Sequence, residues 1–185
     1  MDVYLETERL VLRRFTAGDV ESLTELDSDV EVMRFLTGEP TPREEIELKV
    51  LPGILATYER HPGLGTFATH EQASGRFVGW FGLLPTQRPG TVDVGYRLHR
   101  DAWGLGYATE GTKALIAKAF TDLDVDKVVA DTMAVNTKSR RVMVKSGLRF
   151  VRVYHVQYDD PLPGTEHGEV EYAIDRATWL AGVRA

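Results

Sequence analysis

"HRDAWGLGYATEGTKALIAKAF", residues 99–120, is the stretch on which the fold turns. Just before it, "TVDVGYRL" (91–98) alternates and is rich in β-branched residues, which predicts a strand. After it, apolar residues recur at helical spacing and predict a helix from about Ala108 to Leu123. Trp103, Gly104, Leu105, Gly106, Tyr107 and Ala108 fill the junction. A strand, a Gly-x-Gly turn and a helix together aim free backbone N–H groups, and the positive end of the helix dipole, at an anion. Glycines let the backbone come close to such a ligand and reach conformations closed to other residues. These six residues are therefore a candidate cradle for a phosphate or pyrophosphate. A tight turn with no ligand uses the same glycines, and Gly-x-Gly alone does not choose between the two.

A dinucleotide in a Rossmann fold is the less favoured ligand. That fingerprint needs a third glycine where this chain has Thr109, and an acidic residue about 20 positions on at the end of the next strand. Asp124 and Asp126 have that spacing but precede the strand, and the motif comes past the middle of the chain rather than at its start.

Outward from this stretch, the composition is that of an ordinary globular chain. Its 185 residues, 43% hydrophobic and 27% charged, suit one domain over 1–185 with a sizeable core. No apolar run reaches the roughly 18 residues of a membrane span. "MDVYLETERLVLRRF" has no basic segment leading into an apolar one, so no secretory signal is expected. Cysteine is absent, which excludes disulfides, a thiol nucleophile and thiolate metal sites, and fits a cytoplasmic protein. The net charge is -6. With basic residues scattered, nucleic acid is not an expected partner. Five histidines (61, 70, 99, 155, 167) show no metal-ligand spacing, so no metal is expected.

The remaining elements follow from periodicity and caps. "ERLVLRRF" (8–15) reads as a first strand. Thr16 and Asp19 mark the start of a helix through "VESLTELD". Thr41, Pro42 and Glu44 mark the start of a second helix over 41–60, which Pro52 and Gly53 should kink or break. "GTFATHEQASGRFVGWFGLLP" (65–85) reads as a hairpin turning at "EQASGR". Past the central helix come a strand (127–135), a helix (136–147), a strand (150–158), a Pro/Gly loop and a last strand (168–175). The expected fold is α/β (α+β): one domain with a mixed, mostly antiparallel central sheet of about seven strands flanked by about four helices.

A second constellation, "AVNTKSRRVMVKSGLRF", puts Asn136 at a strand end, Ser139 three residues on and Gly147 past the helix. Asn136 and Gly147 are natural cap residues; from the first turn, Asn136 and Ser139 could also meet a ligand running along splayed strands. "TERLVLRRF", "FVGWFGL", "VDVGYRL…WGLGYATEG", "VNTKSRRVMVKSGLRF" and "VEYAID" then stand in order. This set resembles the GNAT superfamily of acyl-CoA-dependent N-acetyltransferases, and within it the RimJ/RimL-type branch that acetylates ribosomal-protein N-termini, over about residues 5–175.

The resemblance implies transfer of an acetyl group from acetyl-CoA, a cosubstrate, to a primary amine by direct attack in a ternary complex. It implies a peptide or protein N-terminus or a small amine as partner, and a monomer or homodimer. It implies that backbone amides of Trp103, Gly104, Leu105, Gly106, Tyr107 and Ala108 bind the pyrophosphate. Tyr96, Arg97 and Leu98, on a strand bulged in the family, would pair with the pantetheine arm, and Asn136 and Ser139 would contact coenzyme A. Two positions depart from the family pattern. Asp101 replaces the usual Gln or Arg, and Met143 stands where many members carry a tyrosine general acid. They keep open a catalytically inactive acyl-CoA-binding domain; a dinucleotide-binding oxidoreductase is the third reading.

Acetyl transfer needs a neutral amine and a leaving thiolate. Asp93 shares a strand face with Gly95 and Arg97 and is the candidate general base; a solvated strand carboxylate is the competing view. Asp131 and Glu171 are secondary candidates. With Met143 in place, Ser139 becomes the candidate donor to the sulfur. The backbone N–H of Leu98 is a candidate for the oxyanion, and His155 and Trp103 are candidates for the pocket. The loops "LTGEPTPREE" and "DDPLPGTEHG", with Glu39, Glu44, Glu45, Asp159, Asp160 and Glu166, are expected to set specificity.

Overall fold

The computed structural model describes residues 2–183. Its strands are β1 (Val3–Glu6), β2 (Leu10–Arg14), β3 (Gly65–Glu71), β4 (Phe77–Pro85), β5 (Thr91–Leu98), β6 (Lys127–Met133), β7 (Arg149–Tyr154) and β8 (Glu169–Asp175). They form one sheet in the order β1-β2-β3-β4-β5-β6-β8-β7. Every ladder is antiparallel except β5 with β6.

That parallel ladder is short. Thr91, Val92 and Asp93 pair with Lys127, Val128 and Val129, and the register ends there. β5 nevertheless stays paired with β4 as far as Leu98, and β6 with β8 as far as Met133. The two strands therefore part after Asp93 and Val129. The part of β5 beyond has a sheet neighbour on one side only, and half of its backbone N–H and C=O groups are turned to the gap. The β4–β5 ladder runs without a register shift from Gly79–Leu98 to Pro85–Val92. The irregularity lies one ladder away, between Thr69 and His70 of β3 against β4, so the bulge expected on the Tyr96–Leu98 strand is not there.

Helices cover both faces. On one lie α5 (Tyr107–Asp122) and α6 (Thr137–Lys145). Leu115, Ile116, Ala119 and Phe120 of α5 pack with Phe81, Val92, Val94 and Val128 of the strands. Gly111 lets α5 sit on β4: a Cβ there would come within 2.4 Å of the Phe81 ring. On the other face lie α1 (Val20–Asp27), α2 (Val30–Met33), α3 (Arg43–Glu45) and α4 (Leu51–Arg60). Here Phe15, Leu23, Ile46, Leu51 and Ala68 form a second core. α7 (Arg176–Val183) closes the described chain.

The expected cap pair forms, with the Thr16 N–H donating to Asp19 Oδ2 at 2.7 Å, but it closes a 3-10 turn over Ala17–Asp19 that leads into α1. The helix expected from Thr41 starts one residue later than its cap signal. Pro42 is the N-cap, and the Thr41 N–H donates to the Asp27 carbonyl at the end of α1. Pro52 does not break that helix. A π turn over Ile46–Val50, in which the Leu51 N–H reaches back to the Ile46 carbonyl, precedes it, and Pro52 falls in the first turn of α4, where its missing N–H costs little.

Candidate functional site

A cleft of about 940 Å³ fills the gap between β5 and β6, a size at the upper end for a ligand site. One end is built from the glycine junction. Gly104 and Gly106 have φ values of +76° and +87°, the left-handed region that a side chain disfavours. Nothing lies within 4 Å of a Cβ built on Gly104, so backbone conformation rather than space requires glycine there. Gly106 is the N-cap of α5, and the first-turn N–H groups beyond it have no intrahelical acceptor.

The junction is held by the turn between β1 and β2. Glu110, in the first turn of α5, accepts from Thr7 Oγ1 at 2.6 Å, from the Arg9 N–H at 2.9 Å and from Arg9 Nε at 2.7 Å. Arg9 Nη1 also donates to the Leu105 carbonyl at 2.9 Å, and the guanidinium lies 4.7 Å from the Tyr107 ring centre. Burial raises the Glu110 carboxyl, but the Thr7 and Arg9 donors outweigh it and hold it below the usual range. Their effect also offsets the acidic charge that Glu110 would otherwise present to an anion at this helix end.

Of the expected cofactor residues, the cleft wall contains Tyr96, Arg97, Leu98, Trp103, Gly104, Gly106, Tyr107, Ala108, Asn136 and Ser139. Leu105 is not part of it; its side chain is 48% exposed and its carbonyl is taken by Arg9. The Tyr107 side chain is buried, with its hydroxyl on Glu71. Trp103 Nε1 donates to the Leu98 carbonyl at 2.9 Å, and Lys138 Nζ lies 4.8 Å from the Trp103 ring centre. Asn136 caps α6, accepting from the Ser139 N–H at 3.2 Å and donating to Thr132 Oγ1 at 3.1 Å. Ser139 Oγ accepts from the Tyr96 hydroxyl at 3.1 Å. Met143, one turn on from Ser139, is buried in the wall.

Lys138 and Arg141 also line the cleft. Sequence reasoning passed over them, although their i,i+3 spacing puts both on one face of α6. Two cations, positive-φ glycines, a helix N-terminus and the free edge of β5 make a wall suited to a long anionic ligand such as coenzyme A.

The other end of the cleft is lined by Glu31, Arg34, Phe35 and Leu36 beside α2, by Trp80, and by Asp131. Trp80 could belong to a pocket on sequence grounds but was set aside in favour of Trp103, because a large aromatic reads as core. Arg97 Nη1 reaches both Asp27 carboxylate oxygens at 2.5 Å and ties α1 to β5. Asp93 is on the last paired rung before the strands part and is not itself in the cleft wall. Burial, then the neighbouring Asp131 and Glu171 charges, push its carboxyl up to about 6 against the pull of Arg88. Asp131 is raised as well, first by burial, although it accepts from the Tyr154 hydroxyl at 3.0 Å. Glu171 is committed to Arg88 and Arg152, which leaves it a structural role.

Several expectations fall elsewhere. His155 is exposed at the end of β7, 3.4 Å from the Glu166 carbonyl. Asp101 pairs with Arg76, outside the cleft. The two expected specificity loops do meet, since a Cβ on Gly38 would touch Leu162. None of their six acidic residues is in the wall; the wall carboxylates are Glu31 and Asp131. Among the described residues no group of three or more His, Asp or Glu is placed to hold a metal ion, and no helix is long and apolar enough to cross a membrane.

The acetyltransferase (GNAT) domain family matches residues 9–149. The FsC-acetyl coenzyme A-N(2)-transacetylase of Aspergillus fumigatus is 36% identical over 185 residues, covering 95% of this chain and 77% of that protein. A GNAT-family acetyltransferase structure from Bacillus anthracis superposes with a TM-score of 0.74 at 23% identity, over 96% of this chain and 99% of that one. RimL, a ribosomal L7/L12 α-N-protein acetyltransferase solved with coenzyme A, superposes with a TM-score of 0.78 at 19% identity, over 94% and 98%. Both structural likenesses are of fold.

Proposed function

Because the chain belongs to the GNAT acetyltransferase family, with acetyl-CoA as acyl donor and an amine as acceptor, we propose that it acetylates an α-amine, of a peptide N-terminus or a small molecule, in the manner of the RimJ/RimL-type branch. The observation that carries the reading is the two-ended cleft. Its phosphate end is built from Gly104, Gly106, Lys138 and Arg141, and its far end from Trp80, Arg97, Glu31 and Asp131. Donor and acceptor can therefore enter from opposite ends and meet beside Ser139.

Direct attack suits the residues present. The chain has no cysteine, and the side-chain partner of Ser139 Oγ is a phenol rather than a histidine. No activated nucleophile is assembled for an acyl-enzyme. Asp93, with a carboxyl near 6, is ionised at neutral pH and basic enough to take a proton from the amine, directly or through water. An α-amine titrates near ~8 and a lysine near ~10.4, so the α-amine is the easier one to neutralise. The fungal relative's name puts its acetyl group on an N(2) nitrogen, which supports an α-amine acceptor. The released thiol titrates near ~8.5 if it behaves as a cysteine. It therefore needs a hydrogen bond more than a proton, and Ser139 supplies one.

The test is amine-dependent release of coenzyme A thiol across peptides with free and blocked N-termini, small α-amines and lysine side-chain analogues. Free α-amines should turn over, blocked ones should not, and initial-rate lines against the two substrates should intersect. Parallel lines would mean an acyl-enzyme. No thiol release with any amine would mean an acyl-CoA-binding domain that has lost its chemistry.

A further inference from the structure

Tyr96 lines the cleft, and its side chain makes a contact that the cofactor reading does not use. It points to the α5/α6 face of the sheet, beside Phe81 at 5.8 Å between ring centres. Its hydroxyl crosses the gap between the parted strands to Ser139 Oγ at 3.1 Å. Ser139 is thus held twice, by the Asn136 side chain on its N–H and by Tyr96 on its hydroxyl oxygen. A serine hydroxyl accepts two hydrogen bonds but donates one. With Tyr96 donating, the Ser139 proton is uncommitted among the described residues, at a point on the cleft wall. We propose that Tyr96 is a positioning residue for acetyl transfer: its hydroxyl fixes Ser139 so that the serine O–H points at the departing coenzyme A sulfur.

The inference rests on the reading of Ser139 given above and adds what makes that serine effective. Met143, where a tyrosine general acid would stand, is apolar and offers sulfur no proton. The Tyr96–Ser139 pair brings a phenol to the same wall from a strand instead of from the helix. A chain of two hydrogen bonds polarises its last donor, so Ser139 donates more strongly with Tyr96 behind it. The N–C bond forms, the C–S bond breaks, and its electron pair leaves on sulfur, where the Ser139 O–H meets it. The proton that the amine gives up to Asp93 is matched by one that the released thiolate takes from water. Tyr96 transfers none. Burial pushes its phenol up to about 12, more than the Ser139 bond pulls it down, so it remains a neutral donor across the working range.

Four proteins test this: the native chain, Tyr96→Phe, Ser139→Ala and the double variant. Tyr96→Phe keeps the ring against Phe81 and removes only the hydroxyl. Its kcat should fall about tenfold, because Ser139 then meets the sulfur without a fixed and polarised hydroxyl, with KM for acetyl-CoA unchanged and the melting temperature lowered only by the worth of one part-buried hydrogen bond. Ser139→Ala should fall at least as far, and the double variant no further than Ser139→Ala. Full kcat in Tyr96→Phe beside a slow Ser139→Ala would overturn the role of Tyr96 alone. Losses that multiply would overturn it too, because the residues would then act independently. Full kcat in Ser139→Ala would remove the Ser139 reading itself, and this inference with it.

Discussion

Asp93 is the residue whose environment says most about the chemistry. It stands where a carboxylate loses water and gains two like-charged neighbours, and its carboxyl rises to about 6. If it is the base, kcat/KM rises with pH through about 6, and Asp93→Asn removes that limb with a loss of about 10²-fold or more. Stability has the opposite sign. A raised carboxyl binds its proton more tightly in the folded state, so its contribution is fully present below the ordinary value near 3.8 and is lost as pH rises through 6. Asp93→Asn should therefore melt higher than the native chain at pH 8 and equally at pH 4; thermal scans at both values check this. The glycines carry the second prediction at this scale. Gly104→Ala meets no neighbour, so its cost is conformational, about 1–2 kcal/mol, read as a lower denaturant midpoint together with weaker acetyl-CoA binding. Both glycines, Asn136 and Ser139 were legible from sequence because backbone demands and caps leave their mark on residue type. Lys138, Arg141 and Trp80 were not, because cations and aromatics occur on any surface or in any core until the fold shows which face they share.

At the scale of elements, α5 decides the proposed site, since its first turn forms one end of the cleft, the proposed phosphate end, and the helix rests on β4. Alanine favours a helix over glycine by about 1 kcal/mol, yet Gly111→Ala should destabilise by about 1–3 kcal/mol, because its Cβ would press into the Phe81 ring. A denaturant midpoint that rises instead would mean that α5 lies farther from the sheet. Arg9→Ala is the complementary test. Arg9 is 43% exposed in its side chain, so the pair with Glu110 adds at most about 1 kcal/mol to stability. The same change releases the Leu105 carbonyl and the start of α5. Acetyl-CoA affinity, measured by calorimetry, should drop several-fold while the melting temperature moves little. Element type was legible wherever periodicity ran long, as in α5, the 65–85 hairpin and β8. β1 and α2 were missed because four residues give no period. α7 was missed because the last strand runs straight into it; its signal, Asp175 accepting the Thr178 N–H at 2.7 Å, is an ordinary cap. The continuity past Pro52 was hidden because a π turn leaves no mark on composition.

At the scale of the whole molecule, the fold places the site by what it leaves unpaired. Seven ladders join eight strands, and the parallel one, which ends at Asp93 and Val129 while both of its strands run on, makes the cleft. The sequence pointed to a mixed sheet with a helix after the glycine turn, but register is a property of two strands at once, and no single segment records where a pair stops. The crystal structure of the complex with acetyl-CoA tests this account most directly. The account predicts the pyrophosphate on the backbone N–H groups from Gly104 to Ala108, the pantetheine arm along β5 beyond Asp93, and the thioester sulfur within hydrogen-bond reach of Ser139 Oγ. Acetyl-CoA bound with its phosphates away from the glycine turn, or its thioester out of reach of Ser139, would contradict it.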